Sequence, residues 1–186
     1  MNKDNTVYLL VGPRGAGKTS YCKRLTSSNG SLLMVCRDEI LVRICGSEHM
    51  DPYTGAHLHC FKIMQRLLKR KLQTRRGVRL LLDCWTSTRL ERMHIIEDLR
   101  KFGATRVVAL YFITPPELVE TWFWKKPGVA KMSEMRARPD EGLVFYPEWA
   151  PREEHDEFHH HARSIDSDGF DEVIRIDPQS EIITLA

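Results

Sequence analysis

The sequence has 186 residues, of which 42% are hydrophobic and 28% are charged, as in an ordinary soluble globular protein. This length accommodates one well-buried α/β domain, spanning residues 1–186, more readily than two domains. No apolar run approaches the roughly 18 residues of a membrane span, and no charged and then apolar leader opens the chain. We therefore expect a cytoplasmic protein without a membrane partner.

The formal net charge of +3 conceals an uneven distribution of charge along the chain. Residues 1–137 carry 24 basic and 12 acidic side chains, whereas residues 138–186 carry 4 basic and 13 acidic ones. A basic body suits phosphate-rich partners, which include nucleotides and nucleic acids. The charge alone does not choose between these two classes of partner.

The first predicted strand, Val7–Val11, is followed by the sequence G-P-R-G-A-G-K-T, which fits the phosphate-binding loop pattern G-x-x-x-x-G-K-[ST]. Glycines let such a loop wrap closely around phosphate oxygens, and the N–H groups at the start of the following helix point at the anion. Lysine and threonine at the end of the pattern supply a charge for the phosphates and a hydroxyl for Mg²⁺. We therefore expect ATP and Mg²⁺ as cofactors, with a nucleotide site formed by Gly12, Arg14, Gly15, Ala16, Gly17, Lys18, Thr19 and Ser20.

Two further buried strands, 31–36 and 78–83, lead to the carboxylates Asp38 and Asp83. The carboxyl ends of parallel strands form the edge at which open α/β sheets bind ligands. Asp38 is therefore a candidate general base for an acceptor hydroxyl, the alternative being a cap for a short helix over 39–45. Asp83 is a candidate for binding Mg²⁺, together with Thr19, or for the acceptor site.

A long helical pattern follows a predicted loop over 46–55, and its spacing predicts one apolar face. No acidic residue occurs between Cys60 and Asp83, so the other faces of this helix are strongly basic. They form either a solvated surface or a track for nucleic-acid phosphates. The predicted apolar face consists of Leu58, Phe61, Met64, Leu68 and Leu72.

A helix over 89–102, capped by Thr88 and packed through Leu90, Met93, Ile96 and Leu99, precedes a fourth strand over 106–113. Another helix begins at Pro115-Pro116. The segment 121–138 then combines lysines, tryptophans and a Pro-Gly break, with a short helix predicted over 129–137. We interpret it as a basic lid whose Lys125 and Lys126 reach the nucleotide phosphates, the alternative being a surface helical hairpin. Trp122 and Trp124 either pack under this lid or stack on a base.

The acidic C-terminal segment 139–186 is predicted to be loop-like up to residue 168 and to end in a last strand over 170–177. Its histidines, His155 and His159 to His161, have no nearby cysteine and make a weak zinc pattern. The stretch D-S-D-G at 166–169 resembles part of a phosphatase signature but follows no apolar strand, so we assign it no chemistry. The elements together predict about five parallel strands with helices on both faces of the sheet.

Taken together, these motifs resemble the polynucleotide-kinase-like branch of small P-loop kinases, and the resemblance covers nearly the whole chain. It rests on G-P-R-G-A-G-K-T-S, R-D-E after the second strand, L-L-L-D after the third, the basic lid and G-F-D-E-V-I-R-I-D. The resemblance implies the P-loop NTPase fold, catalysis by Lys18 and by Asp38 as the base, Asp83 at the acceptor site, and Lys125 or Lys126 in the place of a lid arginine.

Two departures from the family pattern fall on the acceptor side. Leu41 occupies the second arginine position of R-D-x-x-R, with Arg43 two residues later, and Cys84-Trp85-Thr86 follows Asp83 where the family often has x-T-N. A GTPase is disfavoured because N-K-x-D is absent, and an AAA-type motor because no acidic residue follows Asp83. The resemblance implies ATP-dependent transfer to a nucleic-acid hydroxyl, at a 5′ end or a hydroxymethylated base in DNA. A small-molecule kinase and a non-catalytic nucleotide-binding module remain alternatives.

Overall fold

The computed structural model describes residues 4–47, 55–138, 143–180 and Leu185. Its strands and helices alternate except that α3 follows α2 and β6 follows β5. In chain order they are β1 (Thr6–Val11), α1 (Lys18–Ser28), β2 (Leu33–Cys36), α2 (Arg37–Cys45), α3 (Gly55–Thr74), β3 (Arg79–Asp83), α4 (Arg89–Phe102), β4 (Arg106–Phe112), α5 (Pro116–Trp124), β5 (Val129–Lys131), β6 (Val144–Tyr146), α6 (Ala150–His161) and β7 (Glu172–Ile176).

Five strands form one parallel sheet in the order β2-β3-β1-β4-β7, which confirms the predicted P-loop NTPase-like α/β fold. β1 lies in the middle, between β3 and β4, so the loop that follows it leaves the sheet at its centre. Cys36 at the end of β2 is in register with Asp83 at the end of β3. The register therefore brings the segments after β1, β2 and β3 to one edge of the sheet.

The core divides into two clusters, one on each face of the sheet. Successive side chains of a strand point to opposite faces, so Val7 and Leu9 of β1 join one cluster while Tyr8 and Leu10 join the other. Helices α2, α3, α4 and α6 cover the first face, and α1 and α5 cover the second. This two-sided burial explains why the strands read as continuous apolar runs.

Helix α2 begins at Arg37, directly after β2, so Asp38 lies within its first turn rather than capping it. The helix dipole favours a carboxylate in this first turn. Helix α4 begins as predicted after Thr88, whose hydroxyl accepts the Glu91 N–H while the Glu91 side chain accepts the Thr88 N–H. This reciprocal capping box fixes the chain between β3 and α4.

The prediction of a loop-like segment up to residue 168 is wrong, because residues 150–161 form helix α6. Pro151 lies in its first turn, where backbone N–H groups have no partner within the helix, so the lack of an N–H costs no hydrogen bond. Glu153 in the first turn and the histidines in the last turn suit the positive and negative ends of the helix dipole. Phe158 and Ala162 attach the helix to the core. The histidine run obscured this pattern in the sequence.

The predicted short helix over 129–137 is also wrong. Residues Val129–Lys131 form strand β5, which pairs in parallel with β6, and only Met132–Glu134 form a single 3-10 turn. The β-branched Val129 and the buried Ala130 fit a strand better than an exposed helix. The action of this segment as a lid stays a prediction.

Three positions of the predicted apolar helix faces are exposed rather than buried. Leu58 is 59% exposed, Phe61 42% and Leu90 67%. Cys60 and Arg92 are buried near the starts of these helices instead. The rest of the prediction is confirmed at the buried positions Met64, Leu68, Leu72, Ile96 and Leu99. The exposed ring of Phe61 faces a cavity described below.

The remaining boundaries differ little from the predictions. The last strand is Glu172–Ile176 rather than residues 170–177. Most of the predicted loop over 46–55 lies outside the described residues, and Gly55 already belongs to α3. Within the described ranges, no helix combines the length and the apolar character needed to cross a lipid bilayer.

Candidate functional site

The phosphate-loop residues form a tight cradle at the carboxyl end of β1. Gly15 and Gly17 have φ angles of 83° and 81°, a left-handed conformation that side-chain-bearing residues rarely adopt. A Cβ at Gly15 would lie 2.8 Å from the carbonyl oxygen of Val119, and one at Gly17 would lie 2.9 Å from the Trp122 ring. Both glycines are therefore required by backbone conformation and by space, and the loop packs directly against α5.

Lys18 folds back over the loop and donates hydrogen bonds of 2.8 Å to the carbonyl oxygens of Gly12 and Pro13. Burial lowers the pKa of the Lys18 ammonium, while the nearby carboxylates of Asp83 and Asp38 raise it. Lys126 from the segment after α5 lowers it further. The ammonium thus lies among the predicted catalytic groups, held by two backbone carbonyls.

Thr19 and Asp83 are joined by a hydrogen bond of 2.9 Å, from the threonine hydroxyl to Oδ2 of the carboxylate. Asp83 is buried, and the thiol of Cys36 lies 3.8 Å from the same oxygen. Mg²⁺ is usually bound by one or two protein oxygens, waters and substrate phosphates rather than by a full protein cage. The adjacent Thr19 and Asp83 oxygens fit that pattern. No group of three or more His, Cys, Asp and Glu side chains suited to a metal occurs within the ranges described.

Asp38 is held by its neighbour Arg37, whose guanidinium donates two hydrogen bonds, of 2.9 and 2.7 Å, to the single oxygen Oδ1. The pKa of Arg37 is raised although burial alone would lower it, because the Asp38 carboxylate stabilises the guanidinium charge. The second oxygen, Oδ2, accepts no hydrogen bond from the part of the chain that the structure describes. Asp38 therefore presents one fixed and one open oxygen beside the phosphate loop.

The loop, Asp38 and Asp83 line one cavity of about 1500 Å³. The lining residues fall into two groups by the elements that carry them. The first group, which we call the donor end, consists of the phosphate loop, Arg24, Trp122 and Gln179. The second group, which we call the acceptor end, comes from α3, the chain after β3 and α4, and consists of His57, Phe61, Met64, Trp85, Glu91, His94, Ile95 and Asp98. Asp38 is close to both groups, because its charge acts on Lys18 and its partner Arg37 lies near the Trp85 ring.

The two lysines predicted for the lid both line the cavity, Lys125 with an exposed side chain and Lys126 half-buried. Lys131 lies 5.5 Å from the ring of Trp124 instead. Trp122 packs against the loop at Gly17, whereas Trp124 packs edge-on against Phe123, 4.9 Å between ring centres. The structure therefore brings Lys125, Lys126 and Trp122 to the donor end.

The acceptor-side departures from the family pattern have structural explanations. Leu41 is fully buried in the core, so the helix turns this position away from the cavity. Arg43 is exposed on α2 and does not line the cavity. Arg37 instead supplies the guanidinium beside Asp38, and its Cζ atom lies 5.6 Å from the centre of the Trp85 ring.

Sequence reasoning missed the partners of Arg14 at the donor end. Its guanidinium donates to the hydroxyl of Tyr146, at 2.7 Å, and lies 3.5 Å from the carboxylate of Glu154 on α6. Burial raises the pKa of Glu154, and the positive charges of Arg14, Lys126 and Lys18 oppose that rise. Both partners belong to the segment predicted to be a loop, so no helical signal indicated that they face the cavity.

The histidine run and the D-S-D-G stretch have structural partners instead of a site of their own. His159 bonds to the Tyr111 hydroxyl at 2.6 Å and stacks near His155, and burial lowers the pKa of His159. Asp168 is buried and bonds to the fully buried Arg92 at 2.6 Å. Arg92 also donates to the carbonyl oxygens of Thr86, Ser87 and His161, so it ties the chain after β3 to α6.

The parallel sheet and the glycine cradle, with Lys18, Thr19 and Asp83 at the end of the central strands, define a P-loop nucleotide-binding domain. The profile of the AAA domain family AAA_33 matches residues 7–138, which is most of the chain, and the chain belongs to this family. No curated protein matched the sequence. The expected likeness to polynucleotide-kinase-like small P-loop domains is confirmed at the level of family and fold.

Solved structures share this fold at low sequence identity. The chain aligns with a structure of the Pnkp1/Rnl/Hen1 RNA repair complex at a TM-score of 0.65 and 15% identity, covering 88% of this chain and 47% of the other. A fungal RNA kinase aligns with a TM-score of 0.53 and 15% identity, and the alignment covers 97% of this chain and 77% of the kinase. The tunicamycin resistance protein of Deinococcus radiodurans aligns with a TM-score of 0.53 and 14% identity, and the alignment covers 93% of this chain and 86% of that protein. This chain thus spans about half the length of the first of these chains, and the likenesses establish the fold alone.

Proposed function

We propose that this protein is an ATP-dependent phosphotransferase that moves the γ-phosphoryl group of ATP to a hydroxyl of a nucleic acid. The observation that carries the proposal is the position of Asp38, with one open carboxylate oxygen, beside a phosphate loop in a cavity that extends to residues of α3 and α4. A protein that only binds nucleotide has no need for a carboxylate with an open oxygen in such a cavity.

The donor end would bind the triphosphate through the loop N–H groups and Lys18, which would exchange its two carbonyl partners for phosphate oxygens. Lys125 and Lys126 would add positive charge from the opposite side, where negative charge spreads over the transferring group. Thr19 and Asp83 would hold Mg²⁺, which would supply positive charge to neutralise the phosphates.

Asp38 would accept the proton of the acceptor hydroxyl at Oδ2 while Arg37 holds Oδ1. The hydroxyl oxygen would form its bond to the γ-phosphorus as the bond from that phosphorus to the bridging oxygen breaks, leaving ADP. Because such transition states involve little covalent chemistry by the protein, the contribution of the site is positioning and electrostatics.

A groove between α3 and α4 supports a polymeric, anionic acceptor. It is lined by Lys62, Gln65, Arg66, Lys69 and Phe102. Gln65 on its wall donates a 3.0 Å hydrogen bond to Asp98, which lines the acceptor end of the cavity. The groove therefore continues the acceptor end along the basic face of α3. A phosphate backbone that emerges from the cavity would meet three cations there.

The comparisons are compatible with this acceptor but do not select it. An RNA repair complex and a fungal RNA kinase share the fold, and so does a tunicamycin resistance protein. The acceptor end, rather than the fold, must therefore decide the substrate.

A small-molecule kinase is the second candidate, and one observation favours it. Among the described residues that line the acceptor end, α4 contributes the carboxylates Glu91 and Asp98. Such a wall would suit a neutral or cationic acceptor better than a phosphate inside the cavity. The α3–α4 groove favours the polymer because its cations lie just outside.

A transfer assay with γ-labelled ATP over a panel of acceptors tests the proposal. The panel contains 5′-hydroxyl DNA and RNA, duplex DNA with hydroxymethyluracil, nucleosides, shikimate and tunicamycin. Glu39→Gln, an exposed change beside Asp38, serves as the control for protein quality. We expect label in a polymer, and nuclease mapping then assigns it to a 5′ end or an internal base. Label confined to small molecules would overturn the nucleic-acid proposal in favour of the second candidate.

A further inference from the structure

Two large aromatic rings are exposed within the acceptor end of the cavity. Trp85, just after β3, is 48% exposed, and Phe61 on α3 is 42% exposed. Neither ring stacks against another aromatic ring of the described residues. Aromatic side chains ordinarily bury most of their surface, so two open rings in one concave site indicate a ligand surface.

The position of Trp85 is fixed relative to Asp38. The Arg37 guanidinium bonds to the Asp38 carboxylate at 2.7 Å and lies 5.6 Å from the centre of the Trp85 ring, a cation–π distance. One arginine thus connects the ring to the proposed base. A planar group resting on Trp85 would therefore lie close to the Arg37–Asp38 pair.

The chain on either side of Trp85 is rigidly held, so the ring has a defined location. Thr86 donates its hydroxyl to the carbonyl oxygen of Leu10, and the buried Arg92 donates to the carbonyl oxygens of Thr86 and Ser87. The preceding Cys84 is buried. Trp85 is therefore the exposed member of a buried, hydrogen-bonded segment, as expected for a residue that positions a ligand.

We propose that Trp85, with Phe61 on the facing helix, forms a stacking subsite for the nucleobase of the nucleotide that accepts the phosphoryl group. This inference rests on the proposed function and deepens it. Stacking accepts every base, because every base has a π face. The subsite would therefore bring the hydroxyl of the terminal nucleotide to Asp38 without reading its sequence, while the backbone leaves along the α3–α4 groove.

The occupant is a nucleobase rather than an aliphatic acceptor because the cavity offers two exposed flat rings, one of which, Trp85, lies beside the Arg37 guanidinium. Met64 and Ile95 supply an apolar floor to the same end of the cavity. A sugar ring or a shikimate-like ring would use the hydrogen-bonding groups of the wall more than the rings. The experiment therefore tests whether this end of the cavity prefers a flat ligand.

The test uses a single-stranded DNA with a 5′-hydroxyl and 2-aminopurine, a base whose fluorescence is quenched by stacking, at its 5′ end. The DNA is titrated with wild-type protein, Trp85→Ala, Trp85→Phe and the control Trp149→Ala, whose ring is 60% exposed and does not line the cavity. The same four proteins are assayed for transfer to an oligonucleotide with a normal or an abasic first nucleotide.

We expect the wild type and Trp149→Ala to quench the terminal 2-aminopurine and Trp85→Ala not to do so. Loss of one base–aromatic stack should raise the acceptor KM of Trp85→Ala by about 10-fold, and Trp85→Phe should recover most of it. The abasic oligonucleotide should behave alike with wild type and Trp85→Ala. A purely structural role of Trp85, acting through Arg37, would instead lower kcat and leave KM and quenching unchanged.

Unchanged quenching and KM in Trp85→Ala, with transfer to DNA intact, would overturn the stacking subsite and leave the proposed function standing. Quenching that depends on Trp85, in a protein that transfers label to no nucleic acid, would support the subsite and contradict the proposed function. The two failures therefore give different results.

Discussion

The two ends of the cavity are built in different ways. At the donor end, the phosphate cradle is one short loop whose left-handed backbone at positions 15 and 17 requires glycine, and Lys125 and Lys126 are added from the segment after α5. At the acceptor end, the lining comes from α3, from the chain after β3 and from α4, which are distant in sequence. The donor end is a local structure, whereas the acceptor end exists only after the helices pack.

This difference separates what the fold requires from what the substrate requires. The donor end serves any reaction that consumes a nucleoside triphosphate, so its geometry can be shared widely among unrelated acceptors. The acceptor end carries Trp85, Phe61 and the exposed cations of α3, none of which the sheet needs for its stability. Substitutions at the donor end should therefore change ATP binding and transfer, whereas substitutions at the acceptor end should change the acceptor KM.

The largest effect is expected at the donor end. Lys18→Ala should lower phosphoryl transfer by about 10³-fold or more, because it removes the charge that stabilises the transferring phosphates. The fold should be retained, since Lys18 makes hydrogen bonds to only two loop carbonyls. Transfer kinetics and circular dichroism measure the two properties. Lys23→Ala, an exposed change on α1, is the matched control, and normal transfer by folded Lys18→Ala would remove the loop from the mechanism.

The sequence predicted the donor end well because its information is local. A strand, a glycine pattern and a helix lie within residues 6–28, so the pattern alone specified the loop that the structure contains. The parallel sheet was predictable for the same reason, since each strand is a short apolar run that ends at a turn. The segments after β2 and β3 converge because parallel strands align their carboxyl ends.

The next effect should appear in stability. Asp168→Asn leaves the buried Arg92 without its carboxylate, and breaking a buried pair typically costs about 3–5 kcal/mol. Because Arg92 also holds the carbonyl oxygens beside Trp85, the folded fraction should lose acceptor affinity more than ATP affinity. Urea unfolding and the two KM values measure these effects.

Asp166→Asn is the control, because the ion pair of Asp166 with Arg175 is exposed and should contribute about 1 kcal/mol or less. A stability loss at position 168 no greater than at position 166 would show that the Arg92 network does not hold the acceptor end.

A smaller effect is expected in the α3–α4 groove. The triple change of Lys62, Arg66 and Lys69 to Ala should raise the KM for a long single strand by about 10-fold. The slope of the logarithm of the binding constant against the logarithm of the salt concentration should become shallower by roughly 2, because each lost phosphate contact contributes about 0.7 to that slope. The KM for a single nucleotide acceptor should not change.

The matched control replaces Arg70, Arg75 and Arg76, which carry the same charge in the same region but do not line the groove. Equal effects of the two triple variants would make the basic residues a general electrostatic surface rather than a track.

The smallest effect concerns Glu154, whose carboxylate faces Arg14 and the lysines of the donor end. The pKa of Glu154 is raised, so its neutral form persists above the ordinary glutamate value of 4.5. As the pH rises through that raised pKa, a negative charge forms beside the phosphate site and ATP affinity should fall. Glu154→Gln should remove this fall and bind ATP a few-fold more tightly near pH 7, on the order of 1 kcal/mol or less.

Isothermal titration with ATP at several pH values checks this prediction, with Glu153→Gln on the exposed side of α6 as the control. A constant affinity ratio between Glu154→Gln and wild type across the pH range would show that Glu154 does not influence the phosphate site.

The sequence predicted the acceptor end poorly because its information is not local. Trp85 comes two residues after Asp83 in the sequence, but its exposure depends on the packing of α3 and α4. Near their starts, these helices leave Leu58, Phe61 and Leu90 exposed where the pattern predicted burial. The donor end has one failure of the same kind. Helix α6 was missed because histidines and a proline conceal its periodicity, and the ion pair of Arg14 with Glu154 was missed with it. Such contacts arise from packing between distant elements, which a pattern along the chain cannot specify.

The most direct test of the account is the Asp38→Asn variant, measured for single-turnover transfer and for ATP affinity in the same preparation. Asp38 is close to both ends, with Oδ1 on Arg37 and Oδ2 open. If Asp38 accepts the proton of the acceptor, transfer should fall by about 10²-fold or more while ATP affinity is unchanged. Transfer at the wild-type rate, or an equal loss of ATP affinity, would contradict Asp38 as the base of the transfer.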